Sequence, residues 1–197
     1  MKLRATSVLF GVVALLAGCA AQTPMAEVTR FHLNQPIAPG NIAIEPRDPA
    51  QGASLEFESY TGSIGRELKA RGFGIAPDVP RSGLVAVVGV ERMTRQTGPA
   101  HSAFSIGLGG GSFGSGGGVG GGISFPVGKK TVPEATRTSL FVQIKRRSDG
   151  SVIWEGRAQM EARTGTPYAA PAAAVDKLAA AMFKDFPGES GRTITVK

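Results

Sequence analysis

Residues 151–162, SVIWEGRAQMEA, alternate in a strict period of two. Val152, Trp154, Ala158, Met160 and Ala162 fall on one side, and Glu155, Arg157, Gln159 and Glu161 on the other. Successive side chains of a strand point to opposite faces, so this pattern sets a half-buried β-strand. Ser148-Asp149-Gly150 just before it is a turn signal. Ser139–Arg146 alternates too, with Leu140, Val142 and Ile144 on one side. The two runs predict a hairpin with one face on a core and the other in water. The rest of the chain must cover that apolar face.

Two segments have the period to do so. In residues 54–71, Phe57, Tyr60, Ile64 and Leu68 recur at helical spacing, and Gly72 follows as a stop signal. In residues 170–186, Val175, Leu178, Ala179, Met182, Phe183 and Phe186 form an apolar stripe that ends at Pro187-Gly188. Further strands are expected at Glu27–Leu33 and Asn41–Glu45. The valine-rich run Leu84–Val90 has the length of a central strand buried on both faces. Thr193–Lys197 is either a short last strand or a tail. The expected fold is α+β: a mostly antiparallel sheet with two amphipathic helices packed on one face. A glycine-rich hairpin or loop protrudes from it.

The N-terminus bears on where such a domain is held. Lys2 and Arg4 precede the apolar run Ser7–Leu16, which is too short to span a bilayer. The run closes in Leu16-Ala17-Gly18-Cys19, which resembles the lipobox of bacterial lipoproteins. That resemblance implies diacylation of the Cys19 thiol, cleavage before it and acylation of the new amino group. Cys19 is the sole cysteine, so the chain forms no internal disulfide. Multiple acyl chains suffice for stable anchoring. Ala20 stands where an aspartate would resemble the inner-membrane retention signal of enteric bacteria. The expected address is thus the periplasmic face of the outer membrane, with the inner membrane as the alternative.

Residues 1–18 are then a signal peptide, 19–26 a lipidated tether, and 27–197 a single domain with a glycine-rich insertion at about 105–128. Loss of Lys2 and Arg4 lowers the net charge from +7 to +5. Nucleic acid is not an expected partner in the periplasm. The basic clusters Lys129-Lys130 and Lys145-Arg146-Arg147 read first as solvated strand ends and turns, with anionic headgroups near the anchor as the alternative.

The insertion itself, GLGGGSFGSGGGVGGGISF at 107–125, admits three readings. As a Gly/Ser tract it is a flexible loop. Gly110, Gly114, Gly118 and Gly122 have the small-xxx-small spacing of a glycine zipper. Against this, its eleven glycines cost a helix on the order of 10 kcal/mol relative to alanine. The flanks favour a β-hairpin, because Phe104, Ile106 and Leu108 alternate on entry and Ile123, Phe125 and Val127 on exit. These six are the candidate interaction arm: their apolar faces are expected to cover part of the core, or alternatively to dock an envelope-protein partner or the membrane surface near the lipid anchor.

Catalytic signatures fail on context. Gly110–Gly114 matches the G-x-S-x-G nucleophile elbow but lies between glycines rather than between a strand and a helix. The G-x-G-x-x-G matches at Gly109 and Gly116 open no helix. Residues 122–130 miss the P-loop spacing, and Lys130 stands where Ser or Thr would bind magnesium. His32 reads as a half-buried strand residue, and His101 adjoins the glycine arm. Neither has Cys or carboxylate neighbours at metal-ligand spacing. Asp78 and Asp149 read as turn residues. Tyr60, Trp154 and Phe183 read as core rather than as the lining of a ligand pocket. No enzyme, cofactor or metal is expected, and the oligomeric state is left open. The rival readings are a periplasmic small-ligand binder or hydrolase with a pocket near the arm, and an oligomer whose hairpins join into a barrel.

Taken together, several segments resemble one family. They are the lipobox at Cys19, EVTRFHL at Glu27, NIAIEP at Asn41 and RELKARGFGIAP at Arg66. The glycine-rich centre, SLFVQIKRRSDGSVIWEGRA at Ser139 and the closing MFKDFPGESG complete the set. The chain resembles bacterial lipoproteins carrying the domain of unknown function 4136. That resemblance covers nearly the whole mature chain and implies an envelope lipoprotein of compact α+β fold. The family has no assigned activity, so it implies no catalytic residues.

Overall fold

The computed structural model describes residues 23–76, 82–98, 101–108 and 123–197, with 101–108 and 123–131 described through their backbone. The expected hairpin is the centre of a seven-stranded sheet. Its strands are β1 (Ala26–His32), β2 (Asn41–Pro46), β3 (Gly74–Ile75), β4 (Leu84–Gln96), β7 (Glu134–Arg146), β8 (Val152–Arg163) and β9 (Thr193–Val196). They run in the order β3-β2-β4-β7-β8-β1-β9. Only β2 pairs in parallel, with β3 and with β4. Helix α1 (Leu55–Ala70) lies between β2 and these neighbours in sequence, as a parallel connection requires. The sheet is therefore mostly antiparallel, and the fold is α+β. Strands β5 (His101–Leu108) and β6 (Ile123–Thr131) form a separate two-stranded ribbon between β4 and β7.

Helices α1 and α2 (Pro171–Phe183) cover one face of the sheet. Ser54 caps α1 by accepting a 3.0 Å hydrogen bond from the Phe57 amide, which satisfies a donor the helix leaves orphaned. The predicted stripe Phe57, Tyr60, Ile64 and Leu68 is buried, and so are Val175, Leu178, Ala179, Met182 and Phe183 of α2. Between them, Ser63 and Arg66 of α1 both donate to the Asp176 carboxylate of α2. The facing sheet row is Ala86, Val88, Leu140, Val142, Ile144, Trp154 and Ala158, all buried.

The hairpin departs from strict alternation at one place. Ile144 pairs with Trp154, and the next pair is Lys145 with Val152. Ile153 is the extra residue of a β-bulge. A bulge moves the residues beyond it to the opposite face. Val152 is therefore exposed rather than in the buried row, and Ile153 packs against the core in its place. The run Leu84–Val90 is a central strand as expected, with its helix-side residues in the core and, on the other side, Val85 buried beside Ala43. Further along that side Val87 and Gly89 are half-buried, with Arg47 across Gly89. Residues 193–196 are a strand paired with β1, not a tail.

Helix α2 stops at Phe183, three residues before the end of its apolar stripe. Asp185 turns the chain with φ 55°, and Phe186 folds back onto the core. Two arginines hold this helix end. Arg30 of β1, 3% exposed, donates to the carbonyls of Met182 (2.8 Å), Ala181 (3.0 Å) and Lys184 (2.8 Å). Arg71 donates twice to the Phe183 carbonyl, at 3.0 and 2.7 Å, and is fixed by Glu67 at 2.6 Å. A guanidinium presents several donors in a rigid fork, which suits a cluster of helix-end carbonyls. Burial pulls the Arg30 pKa below its ordinary value, and the nearby Asp185 charge opposes that shift.

The rings pack on this end as well. Trp154 stacks on Phe183 with centroids 5.3 Å apart and meets Phe186 at 5.2 Å. Its indole N–H donates to the Pro187 carbonyl at 3.0 Å. Two glycines are required by contact. A Cβ on Gly156 would clash with the Trp154 ring and lie 2.7 Å from Met182 Sδ. Gly188 has φ +80°, and a Cβ there would meet Arg30 Cδ at 2.6 Å.

Two substitutions test this packing by urea unfolding. Gly156→Ala forces Trp154 and Met182 apart and is expected to lose about 2 kcal/mol, as overpacked cores do. Arg30→Met orphans three helix-end carbonyls and is expected to lose about 3 kcal/mol or more. In both, the midpoint falls while the denaturant slope stays unchanged. A midpoint equal to the wild type's would refute the assigned role.

Candidate functional site

The face of the sheet away from the helices carries a shallow hollow of about 1070 Å³. Its floor is built by register. Phe141 lies between Gly89 and Arg157 on the neighbouring strands, and Glu155 lies between Gln143 and Phe31. Residues directly opposite in an antiparallel sheet share a face. The Arg47 guanidinium stands over the Phe141 ring at 4.8 Å, and that of Arg157 lies 5.8 Å from both the Phe141 and Phe31 rings. A ladder Arg47–Phe141–Arg157–Phe31 therefore crosses the hollow.

Polar neighbours hold its sides. Glu155 accepts from Arg157 Nε and from Gln143 Nε2, each at 2.8 Å. Gln159 donates to Glu27 at 2.7 Å, and the Thr29 and Thr193 hydroxyls pair at 2.7 Å. Arginine planes against aromatic faces can hold a planar or anionic group by stacking and by charge. The carboxylates here already accept hydrogen bonds from cationic or amide donors.

The residues singled out from sequence fall into three groups. Leu16, Ala17, Gly18 and Cys19 lie outside the described residues, as do Asp78 and residues 109–122 with their glycine motifs. Phe104, Ile106 and Leu108 of β5 pair with Val127, Phe125 and Ile123 of β6, so the two arms do form a hairpin. The remainder are structural. His32 is half-buried, with its Nδ1 accepting from the Asn34 amide at 3.1 Å and its Nε2 at 2.9 Å from the Gly188 carbonyl. The first bond requires a bare Nδ1, so Nε2 carries the proton and donates. Both ring nitrogens are thereby used. Asp149 is the turn residue expected, its pKa held down at about 2, chiefly by the Ser151 hydroxyl, then by the Ser151 amide and Arg146. Tyr60 donates to Glu56, and burial together with that bond pushes its pKa well above the ordinary phenol value. Tyr60, Trp154 and Phe183 are core.

The arginine ladder was not singled out in the sequence. Its signal was present in Phe141, an aromatic out of phase with Leu140, Val142 and Ile144, and in Phe31, which shares the open face with Thr29. Among the described residues, no group of three or more His, Cys, Asp or Glu is placed to hold a metal ion.

Residues 21–188 match the family described as Domain of unknown function (DUF4136). The chain belongs to the DUF4136 family. An uncharacterized protein of Zymomonas mobilis subsp. mobilis is 35% identical, over 89% of this chain and 81% of its own length. Among solved structures, a PDZ domain protein from Parabacteroides distasonis aligns with 88% of this chain at TM-score 0.47 and 12% identity; the DUF4136 chain spans 39% of that protein. A PelC dodecamer from Paraburkholderia phytofirmans aligns with 84% of this chain and 99% of its own, at TM-score 0.46 and 12% identity. With respect to the membrane, no helix among the described residues is long and apolar enough to cross it.

The ladder makes a measurable prediction. A double-mutant cycle of Phe141→Leu and Arg157→Ala, read by urea unfolding, is expected to give a coupling of about 0.5–1 kcal/mol. Strict additivity would show that the stack contributes nothing.

Proposed function

We propose that this DUF4136 protein is a lipid-anchored envelope protein whose domain works by binding rather than by catalysis. Acyl chains on Cys19 hold it at the periplasmic face of the outer membrane. One observation carries the anchoring: the only thiol in 197 residues ends the motif Leu16-Ala17-Gly18-Cys19, directly after a short apolar run behind Lys2 and Arg4. A tether of seven residues then leads from Cys19 to β1 at Ala26. The binding role is supported by the arginine–aromatic ladder and by the hydrogen-bonded carboxylates of the same face. An envelope protein is the partner class this reading favours.

The hollow also favours a second reading, in which a small planar or anionic ligand occupies it. Its test is a loss of ligand binding in Arg157→Ala and Phe141→Leu, with the fold retained by circular dichroism.

Radiolabelled palmitate is expected to enter the wild-type chain and not Cys19→Ala, which should also keep its N-terminal segment. Label in the Cys19→Ala chain would overturn the assignment. In an enteric host, Ala20→Asp is expected to move the protein from outer- to inner-membrane fractions of a sucrose gradient.

A further inference from the structure

The β5–β6 ribbon has one apolar face. Phe104 pairs with Val127, Ile106 with Phe125 and Leu108 with Ile123. Directly opposed residues share a face, so register places these six large apolar residues on one side. Ser105 opposite Pro126 and Gly107 opposite Ser124 occupy the other. Among the described residues, neither strand pairs with a third. A two-stranded ribbon is marginal in water, and this one has a face that needs cover.

The sheet register indicates what lies near it. Ala26, the first residue of β1, is level with Met160, Thr138 and Arg92, because Glu27 pairs with Gln159, Met160 with Thr138 and Thr138 with Arg92. Strands β4 and β7 run on past this level, to Gln96 and from Glu134, and lead directly into β5 and out of β6. The N-terminal tether and the ribbon therefore leave from the same end of the sheet. From Ala26 back to Cys19 the chain reaches at most ~24 Å. From the level of Arg92, β4 continues for ~13 Å, and β5 adds ~26 Å of strand. The arm is longer than the tether, so a leaflet that holds Cys19 lies within the arm's reach.

Charge agrees with this. Between Glu91 and Glu134 the chain has no acidic residue, and its arginines and lysines there are Arg92, Arg95, which pairs with Glu161, Lys129 and Lys130. The two lysines sit at the base of β6, on the domain side of all six apolar positions. Basic groups at headgroup level with apolar residues beyond them match an anionic leaflet. The strands have 8 and 9 residues, short of or at the lower bound of what crosses a bilayer.

We propose that the β5–β6 ribbon lays the face carrying Phe104, Ile106, Leu108, Ile123, Phe125 and Val127 into the leaflet that holds the acyl anchor. It rests on the anchored reading above. The occupant is the lipid surface itself, with Lys129 and Lys130 at its phosphates.

The test uses the full acylated chain in vesicles of phosphatidylethanolamine and phosphatidylglycerol. Acylated Cys19 takes no thiol probe, so Ile106→Cys and Ser105→Cys each offer one site for an environment-sensitive fluorophore. Leu108→Cys repeats the apolar-face reading should Ile106→Cys fold poorly. Doxyl-labelled lipid is expected to quench the fluorophore at 106 and 108 several-fold more than at 105. Equal, weak quenching at all three would overturn the proposal and leave the anchor intact. Energy transfer between labelled copies without quenching by lipid would assign the face to a second chain and also overturn it. Uptake of the probe by the unsubstituted chain would overturn the anchored reading instead.

Discussion

The C-terminal end of α2 is the joint on which the domain depends. Arg30 reaches it from β1, Arg71 from the end of α1, and Trp154 stacks on it from β8. One helix end therefore ties together the two helices and two strands of the sheet. The residues after it are bound back as well. Gly191 donates to the Arg30 carbonyl at 2.7 Å, and Ser190 exchanges hydrogen bonds with the backbone of His32 at 2.9 and 2.8 Å. Four helix-end carbonyls buried without donors would be costly. Arginine meets that cost with a charge that is itself almost wholly buried, so neither partner can be lost alone. The segment MFKDFPGESG is thus a lock for the helix layer on β1.

This joint also explains why the two faces of the sheet are so unlike. The helix side is filled by large apolar residues and closed by rings. The other side has no helix packed on it among the described residues, and its two phenylalanines are met by charge instead. Arg157 crosses two phenylalanines while its own charge is balanced by Glu155 at 2.6 Å. Arg95 and Arg137 share Glu161 in the same way at the base of the ribbon. Exposed ion pairs of this kind contribute little to stability. Their effect is on the chemistry of the face, which presents flat cations and rings rather than a greasy patch.

The layer plan was legible in the sequence because burial writes a period. A period of two gave β1, β7 and β8, and helical spacing gave both helices, with Ser54 as the start of the first. What burial does not write was missed. Residues 91–96, ERMTRQ, are exposed and carry no apolar row. They are a strand because β7 pairs with them, from Glu91 with Ser139 to Gln96 with Glu134. The bulge at Ile153 was hidden because Val152 and Ile153 are both apolar, and either can serve in the buried row. Arg30 sits in phase with Val28, where alternation places a core residue, yet only the folded helix end explains why that residue is an arginine. Strand order, and with it the ladder from Arg47 to Phe31, depends on contacts distant in sequence that no local pattern records.

The glycine-rich centre gains its meaning from the strands around it. Glycine supplies no side chain to either face of a ribbon, so six of the large apolar residues of this region fall in β5 and β6. The register of the two strands puts all six on one face, with small residues opposite. A one-residue slip between the strands would mix the faces. The irregularity between Ser102 and Phe104 sits at the base, below the apolar pairs, which keeps Phe104–Leu108 in phase with Ile123–Val127. The extension of β4 and β7 runs beyond the level of Ala26 before the ribbon starts, at the end of the sheet where β1 begins.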